Sequence, residues 1–397
     1  MTAGSDAPPS RGPVLGDPAF FAGEPDAALA AARRACPVRW HEDGQFWALC
    51  RHAEVAEVSR DPERFFSSGG VLMADRGREI AAQDSILYLD PPRHGQYRKL
   101  VNRAFTPRRV ADLEPRIRQM TAELLDAIDP AQEVDVVDAL TAPLPLWVIA
   151  ELLGLPAADR ADFRRWSDAV MAAATDLTED NALLALELFG YFEGHLAERV
   201  DAPRDDLLTA LVQAEVDGER LSRQDQLGFC MTLLVAGNET TRALLTGGLL
   251  ALAEEPAQRA QLAADASGLP AAVEEMLRWV TPIMAMARTA AHDTTVGGTA
   301  VRKGDYLVMV YGAANRDEDV FGPDAERFDV TRAPNPHLAF GFGEHFCIGA
   351  SLARLEARVV FDEVLRRWPG YAVTGQARRA PSTLLRQITH LPVRFAG

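Results

Sequence analysis

The chain has 397 residues, a length that suits either two or three domains or one large one. Its 41 Lys and Arg against 57 Asp and Glu give a formal net charge of −16, which disfavours nucleic acid and anionic membrane as partners of the whole molecule. Four cysteines, Cys36, Cys50, Cys230 and Cys347, show neither a CxxC pair nor zinc spacing, so no disulfide framework is expected and a reducing cytoplasm is the default.

Residues 1–14 are rich in Pro, Gly, Ser and Ala without apolar periodicity and read as a disordered arm, with no secretory leader. No linker or repeat follows, so residues 15–397 are expected to form one domain. A helical period covers 26–35. Two short apolar runs, 38–40 and 46–49, joined at Glu42-Asp43-Gly44, predict a β-hairpin. A helix follows at 52–59. Residues 65–90 keep no steady period and predict a long loop, of the kind that serves function in a compact domain. Helices are predicted over 92–105, with Pro92 suited to the first turn, then over 107–128, 145–155, 158–174, 179–200 and 205–216.

The most apolar run, 227–253, carries Asn238, Glu239 and Arg242 near its middle, which is costly in lipid. It reads instead as a buried helix over 224–254, roughly 45 Å long. A helix over 269–280 precedes strands between 284 and 309, with turns at Gly297, Gly298 and Gly304. A helix over 347–367 and a strand region over 383–395 complete a mainly α chain with small β pieces.

Cys347 lies in Phe340-Gly341-Phe342-Gly343-Glu344-His345-Phe346-Cys347-Ile348-Gly349, directly before a helical run. A helix start offers positive potential, which favours a thiolate as nucleophile or metal ligand. Gly343 and Gly349 permit tight turning, and Phe340 and Phe346 offer ring faces. The plain alternative is an inert buried thiol. In the long helix, Ala236-Gly237-Asn238-Glu239-Thr240-Thr241 sets an acid beside a hydroxyl. There the plain alternatives are a threonine bonded back to its i−4 carbonyl and an acid paired with Arg242. Glu275 and Arg278 share a helix face, as do His94 and Arg98. A surface ion pair and a solvated basic edge are the plain readings of these two.

The first stretch fits F-x-x-G-x-x-x-C-x-G, the second A-G-x-[DE]-T-[ST] and the third E-x-x-R. With Ala314-Asn315-Arg316-Asp317 they occur in one order, and from about Asp17 to Phe395 the chain resembles the cytochrome P-450 family, the haem-thiolate monooxygenases. The resemblance implies one large, mainly α cytochrome P-450 fold, a helical core with small β-sheets. It places haem b (iron protoporphyrin IX) between the long central helix and the helix after the cysteine loop, with Cys347 as axial thiolate and Phe340 and Gly349 shaping the loop. Ala236 and Gly237 would thin the helix for the cofactor and O₂. Thr240 would hold the oxygen, and Glu239 would relay protons as a general acid. His94, Arg98, Arg288 and His345 would meet the two propionates. Glu275 and Arg278 would brace the loop with a third group, Arg327 or Arg332.

The activity implied is hydroxylation of an apolar substrate such as a steroid, fatty acid, terpenoid or macrolide-like compound. Two electrons would come from NAD(P)H through a ferredoxin reductase and a ferredoxin, without a membrane anchor. The ferredoxin would dock on Lys99, Arg103, Arg108, Arg354 and Arg358. Val71, Leu72, Met73, Leu87, Leu233, Ile283, Met284, Met286 and Leu384 would line the pocket. A peroxide-driven peroxygenase and a non-catalytic haem or lipid-binding protein are the alternatives. The acid–threonine pair speaks against the first and a proton relay against the second.

Overall fold

A 32-residue helix, Arg223–Glu254, runs through the middle of the molecule. Its start is set by a reciprocal cap. The Ser222 hydroxyl accepts the Asp225 N–H at 3.1 Å, and the Asp225 carboxylate accepts the Ser222 N–H at 3.2 Å. The computed structural model describes residues 15–78, 80, 85–102, 105–173, 178–216 and 219–395. The expected arm, residues 1–14, and Arg103 of the expected docking patch lie outside them.

Three helices pack along the central one: Pro143–Leu153, Leu269–Val280 and Ala350–Arg367. Their shared core is built from Leu153, Leu234, Leu244, Leu249, Met276, Val360 and Phe361, all fully buried. At Gly248 the helices come so close that a Cβ would sit 2.6 Å from the Phe361 ring, so only glycine permits this spacing. Two further helices, Arg160–Ala173 and Glu179–Asp201, pack against each other and against the central helix.

The main sheet has five strands in the order Val38–His41, Phe46–Leu49, Tyr306–Val310, Ala285–Ala290, Phe65–Phe66. All its pairings are antiparallel except Phe46–Leu49 with Tyr306–Val310. Every residue of Tyr306–Val310 is buried, with Tyr306, Val308 and Val310 in one core cluster and Leu307 and Met309 in another. This is the two-residue alternation of a strand covered on both faces. The expected mainly α fold with small sheets is what the structure shows.

Several boundaries differ from expectation. The helix predicted over 107–128 breaks at Leu113 into Pro107–Asp112 and Glu114–Asp126, because Pro115 lacks the N–H needed to continue the first. The last helix begins at Ala350 rather than Cys347, with Gly349 as its cap. A strand at Glu133–Asp135, a π-helical turn at Val137–Thr141 and a helix at Pro256–Ala264 had no clear sequence signal. Residues 65–90 hold only the strand Phe65–Phe66 and a 3₁₀ turn at Met73–Asp75 among the described residues.

Near the amino terminus, Asp26 accepts two hydrogen bonds from Arg386, at 3.1 and 3.0 Å, and pairs with Arg316 at 3.3 Å. Arg316 and Arg33 both hold Glu326, each at 3.0 Å. The second helix among the described residues, Asp26–Ala35, is thereby tied to the closing residues of the chain.

Candidate active site

The loop Phe340–Gly349 is held by its own backbone. The Cys347 N–H donates to the Phe340 carbonyl at 2.9 Å, and the Phe346 N–H to that of Gly343 at 3.1 Å. Gly343 has φ of 74°, and a Cβ there would lie 2.1 Å from the Ser59 carbonyl oxygen, a backbone atom that cannot swing aside. Gly77 has φ of 70° with open space around it. Gly343→Ala is therefore expected to cost more than the roughly 1–2 kcal/mol of left-handed strain that Gly77→Ala incurs. Urea unfolding of the two variants measures the difference.

Cys347 and Phe346 are reachable by solvent in the middle of this packed region. Burial nevertheless pushes the Cys347 thiol pKa up, against the opposing pull of the Gly349 N–H, Arg98 and Arg354. The expected lowering by a helix start is absent in the protein alone. The helix begins three residues later, at Ala350, which sets the sulfur further from its positive end.

On the central helix, Val235 and Ala236 are exposed although both flanks of the helix are in the core. Gly237 plays a different part from the one expected. Its missing Cβ would meet the Ile149 side chain at 2.9 Å, so it seats the helix Pro143–Leu153. Thr240 donates its hydroxyl to the Ala236 carbonyl at 2.6 Å, the back-bond that a helical threonine commonly makes. Glu239 is 4% exposed. One carboxylate oxygen accepts from Asn238 Nδ2 at 3.3 Å, the other from Gln387 Nε2, and Arg242 lies 3.6 Å away. Burial raises the Glu239 pKa, with Arg242 and Gln387 opposing and Asp168 adding to the rise.

His94 and His345 lie against each other with ring centroids 4.1 Å apart and planes tilted by 35°, and Ser67 Oγ lies 3.1 Å from His345 Nε2. Burial, with Arg98 and Arg288 nearby, pushes His94 down to about 4. Burial also pulls His345 down to about 2, helped by Arg288, His94 and Arg98, so both rings are neutral at pH 7. Arg98 donates to the Phe346 carbonyl and Arg288 to the Ala287 carbonyl, the latter at 2.7 Å. Neither guanidinium has a carboxylate within ion-pair distance among the described residues, and burial lowers the pKa of both. His94 Nδ1 is buried without a partner. Arg288 is buried and Arg98 half-buried, so together with His94 Nδ1 they leave polar groups beside the cysteine loop whose burial is costly without a partner.

A sequence model described as Cytochrome P450 matches residues 187–377. The methyl-branched lipid omega-hydroxylase of Mycobacterium tuberculosis is 38% identical over 391 residues, covering 94% of this chain and 91% of that protein. Linalool 8-monooxygenase of Pseudomonas putida is 36% identical over 400 residues, covering 96% and 98%. The chain belongs to the cytochrome P450 family. Among solved structures, CYP109E1 from Bacillus megaterium in complex with testosterone superposes with a TM-score of 0.86 at 34% identity, covering 94% of this chain and 100% of that one. The Mycobacterium marinum CYP268A2 complex with pseudoionone gives 0.87 at 36% identity, covering 98% and 100%. The protein is thus a P450 monooxygenase, an oxidoreductase of a hydroxylating family whose fold implies haem with cysteine thiolate ligation.

In this P450 the E-x-x-R pair is fully buried. Arg278 donates to both Glu275 oxygens at 2.7 Å and to the carbonyls of Asn315, Ala325 and Arg327 at 2.7–2.9 Å. The third member is Arg332, whose Nε is 3.3 Å from Glu275. Arg327 offers only its carbonyl. Asn315 continues the brace, its side-chain oxygen accepting the Leu338 N–H at 2.7 Å just ahead of the cysteine loop.

Sequence reading missed Glu274, Ser67, Asn238 and Gln387. Glu274 accepts from Arg354 at 2.7 and 2.8 Å and from His337 at 3.1 Å. Arg354 also covers the Phe340 ring at 4.5 Å. It therefore fastens the cysteine loop to the helix Leu269–Val280 and is not a free docking cation. Lys99, Arg108 and Arg358 are exposed. Of the expected pocket residues, Leu87 is exposed, and Leu72, Met73, Leu233, Ile283, Met286 and Leu384 are half-buried. Val71 and Met284 are 0% exposed, so neither presents an open face among the described residues. Met284 is taken up by the core beneath Gly312, while Val71 lies on backbone bonded through its carbonyl to Ala287.

Proposed function

We propose that the Cys347 thiolate would ligate the iron of haem b and that Arg98, Arg288, His94 and His345 would hold its two propionates. The buried Arg288 and half-buried Arg98 guanidiniums, without a carboxylate at ion-pair distance among the described residues and beside a reachable thiol, carry this reading. When bound, the haem supplies the centre at which O₂ is reduced by two electrons and split, one oxygen atom entering the substrate and the other leaving as water. The chain supplies the rest. Ser67 orients His345, and Phe340 and Gly349 shape the loop. Ala236 leaves a flat, small-residue surface on the central helix. Glu239, with its raised pKa, can hold a proton closer to neutral pH than an ordinary carboxyl. The Thr240 hydroxyl proton is committed to the Ala236 carbonyl, which leaves its oxygen free to accept a hydrogen bond.

The substrate proposed is an apolar lipid or terpenoid-like molecule. Supporting this are the apolar side chains of Leu72, Met73, Leu87, Leu233, Ile283, Met286 and Leu384, and relatives named for branched lipids, linalool and steroids. A ferredoxin fed by NAD(P)H through its reductase is proposed as donor, with Lys99, Arg108 and Arg358 on its docking face. Glu239→Gln is expected to lower product formation by about 10²-fold, a typical loss for a general acid. Thr240→Ala is expected to divert NAD(P)H to peroxide or water. Both should keep the carbon-monoxide spectrum of the reduced protein. Unchanged product per NAD(P)H in both variants would remove the proton-relay assignment.

A further inference from the structure

We propose that Gln387 is a positioning residue for Glu239, parking its carboxyl away from Thr240 between proton transfers. The inference rests on the reading of Glu239 as proton donor. Both carboxylate oxygens of Glu239 are engaged, one by Gln387 and one by Asn238, and neither is bonded to Thr240, whose hydroxyl is bonded to Ala236. Delivery toward Thr240 thus requires the carboxyl to leave Gln387, and recovery requires it to return.

The backbone that presents Gln387 is pinned on every side. The Leu384 carbonyl accepts the Met284 N–H at 2.8 Å, and the Arg386 N–H donates to Pro282 at 2.9 Å. The Arg386 side chain is clamped on Asp26, and the Gln387 carbonyl accepts the Ala380 N–H at 3.1 Å. Only the amide tip is left to move. An amide suits this task because it offers both a donor and an acceptor. Its N–H holds the carboxylate, and after rotation its oxygen can hold the carboxylic acid. A cation in its place would lock the ionised form.

Polar groups with spare capacity surround the acid. Asn238 Oδ1 and Arg242 Nε are buried without partners, and Asn238 Nδ2 reaches Ser167 Oγ at 3.4 Å. Buried atoms of this kind take ordered water. The charged neighbours are Arg242 on the same helix and Asp168 on the helix Arg160–Ala173. In each transfer a proton passes from bulk water to the Glu239 carboxylate and then to an acceptor at Thr240, and no electrons move through these groups.

The test compares Gln387→Leu and Gln387→Glu in wild-type and Glu239→Gln backgrounds, using the haem-loaded enzyme. It reads product per NAD(P)H, the solvent isotope effect on turnover, and the infrared carboxyl band that Glu239→Gln abolishes in the resting protein. Gln387→Leu should cut product per NAD(P)H by about threefold or more, change the isotope effect and shift the infrared band. It should add nothing once Glu239 is Gln. Gln387→Glu, isosteric and able to share one proton with Glu239, should move the alkaline limb of the pH profile upward and settles the matter if the leucine variant fails to fold. Equal losses in both backgrounds, with the infrared band unmoved, would mark Gln387 as merely structural and overturn the proposal. If Glu239→Gln is damaging while both Gln387 variants behave as wild type, the positioning role alone falls. If Glu239→Gln itself retains full coupling, the proton-donor reading falls and takes this role with it.

Discussion

Cys347→Ser is expected to abolish the carbon-monoxide band typical of thiolate-bound haem and to lower hydroxylation by roughly 10³-fold or more, equivalent to about 4 kcal/mol of barrier. The other cysteines provide the control. Cys50 and Cys230 are enclosed, and burial pushes both thiols to about 12, which keeps them protonated and inert. Cys36 is exposed, but its thiol is engaged by the Val38 carbonyl at 3.2 Å. Cys347 alone combines access to solvent with a backbone N–H, Arg98 and Arg354 acting on its sulfur. Serine at positions 36, 50 and 230 should leave the band in place. A Cys347→Ser protein that still shows it would refute the ligand assignment outright.

Arg278→Leu is expected to destabilise the fold by about 3–5 kcal/mol, because it removes the two-pronged partner of a buried carboxylate and leaves Arg332, 3.3 Å from Glu275, as its remaining cation. Arg278 and Glu275 are both 0% exposed, so no water replaces the lost bonds. Three carbonyls, those of Asn315, Ala325 and Arg327, lose a donor as well. A loss of that size is a large part of a typical total stability of about 5–15 kcal/mol. Arg278→Lys should rescue little, since an ammonium cannot span the two Glu275 oxygens and three carbonyls that the planar fork serves. Removing Glu275 together with Arg278 should cost less than the sum of the single changes. Urea midpoints and the fraction of protein purified with cofactor report all of these effects. A midpoint for Arg278→Leu equal to that of the wild type would show that the cluster does not brace the loop.

The parts legible in the sequence are those that local chemistry dictates. Gly343 must be glycine because of its φ and the Ser59 backbone, and the cysteine loop carries that constraint as a spacing. Glu275 and Arg278 share a face because a helix places them so. The long helix shows its buried character through its apolar run, which places its start at 224; the Ser222–Asp225 cap that sets it is visible only in the structure. What sequence could not supply is long-range pairing. Gln387 meets Glu239 across 148 residues and Arg354 meets Glu274 across 80, and no local pattern links either pair. The choice of Arg332 over Arg327 depends on the path of an irregular loop, which has no period to read. Val71 and Met284 were misjudged for the same reason, since outside regular structure an apolar side chain does not announce which way it faces. The Gly237 contact with Ile149 shows a further limit, because a small residue in a motif can serve a neighbouring helix as readily as a ligand.

The clasp between Asp26 and Arg386 gives the first and last parts of the chain a shared mechanical fate. Arg386 adjoins Gln387, so a truncated version lacking the helix Asp26–Ala35 would loosen the strip that carries the amide. Affinity tags and fusion partners placed ahead of that helix need a spacer long enough to keep strain off the clasp. Engineering at the front end of this molecule therefore acts on the segment that presents Gln387 to Glu239.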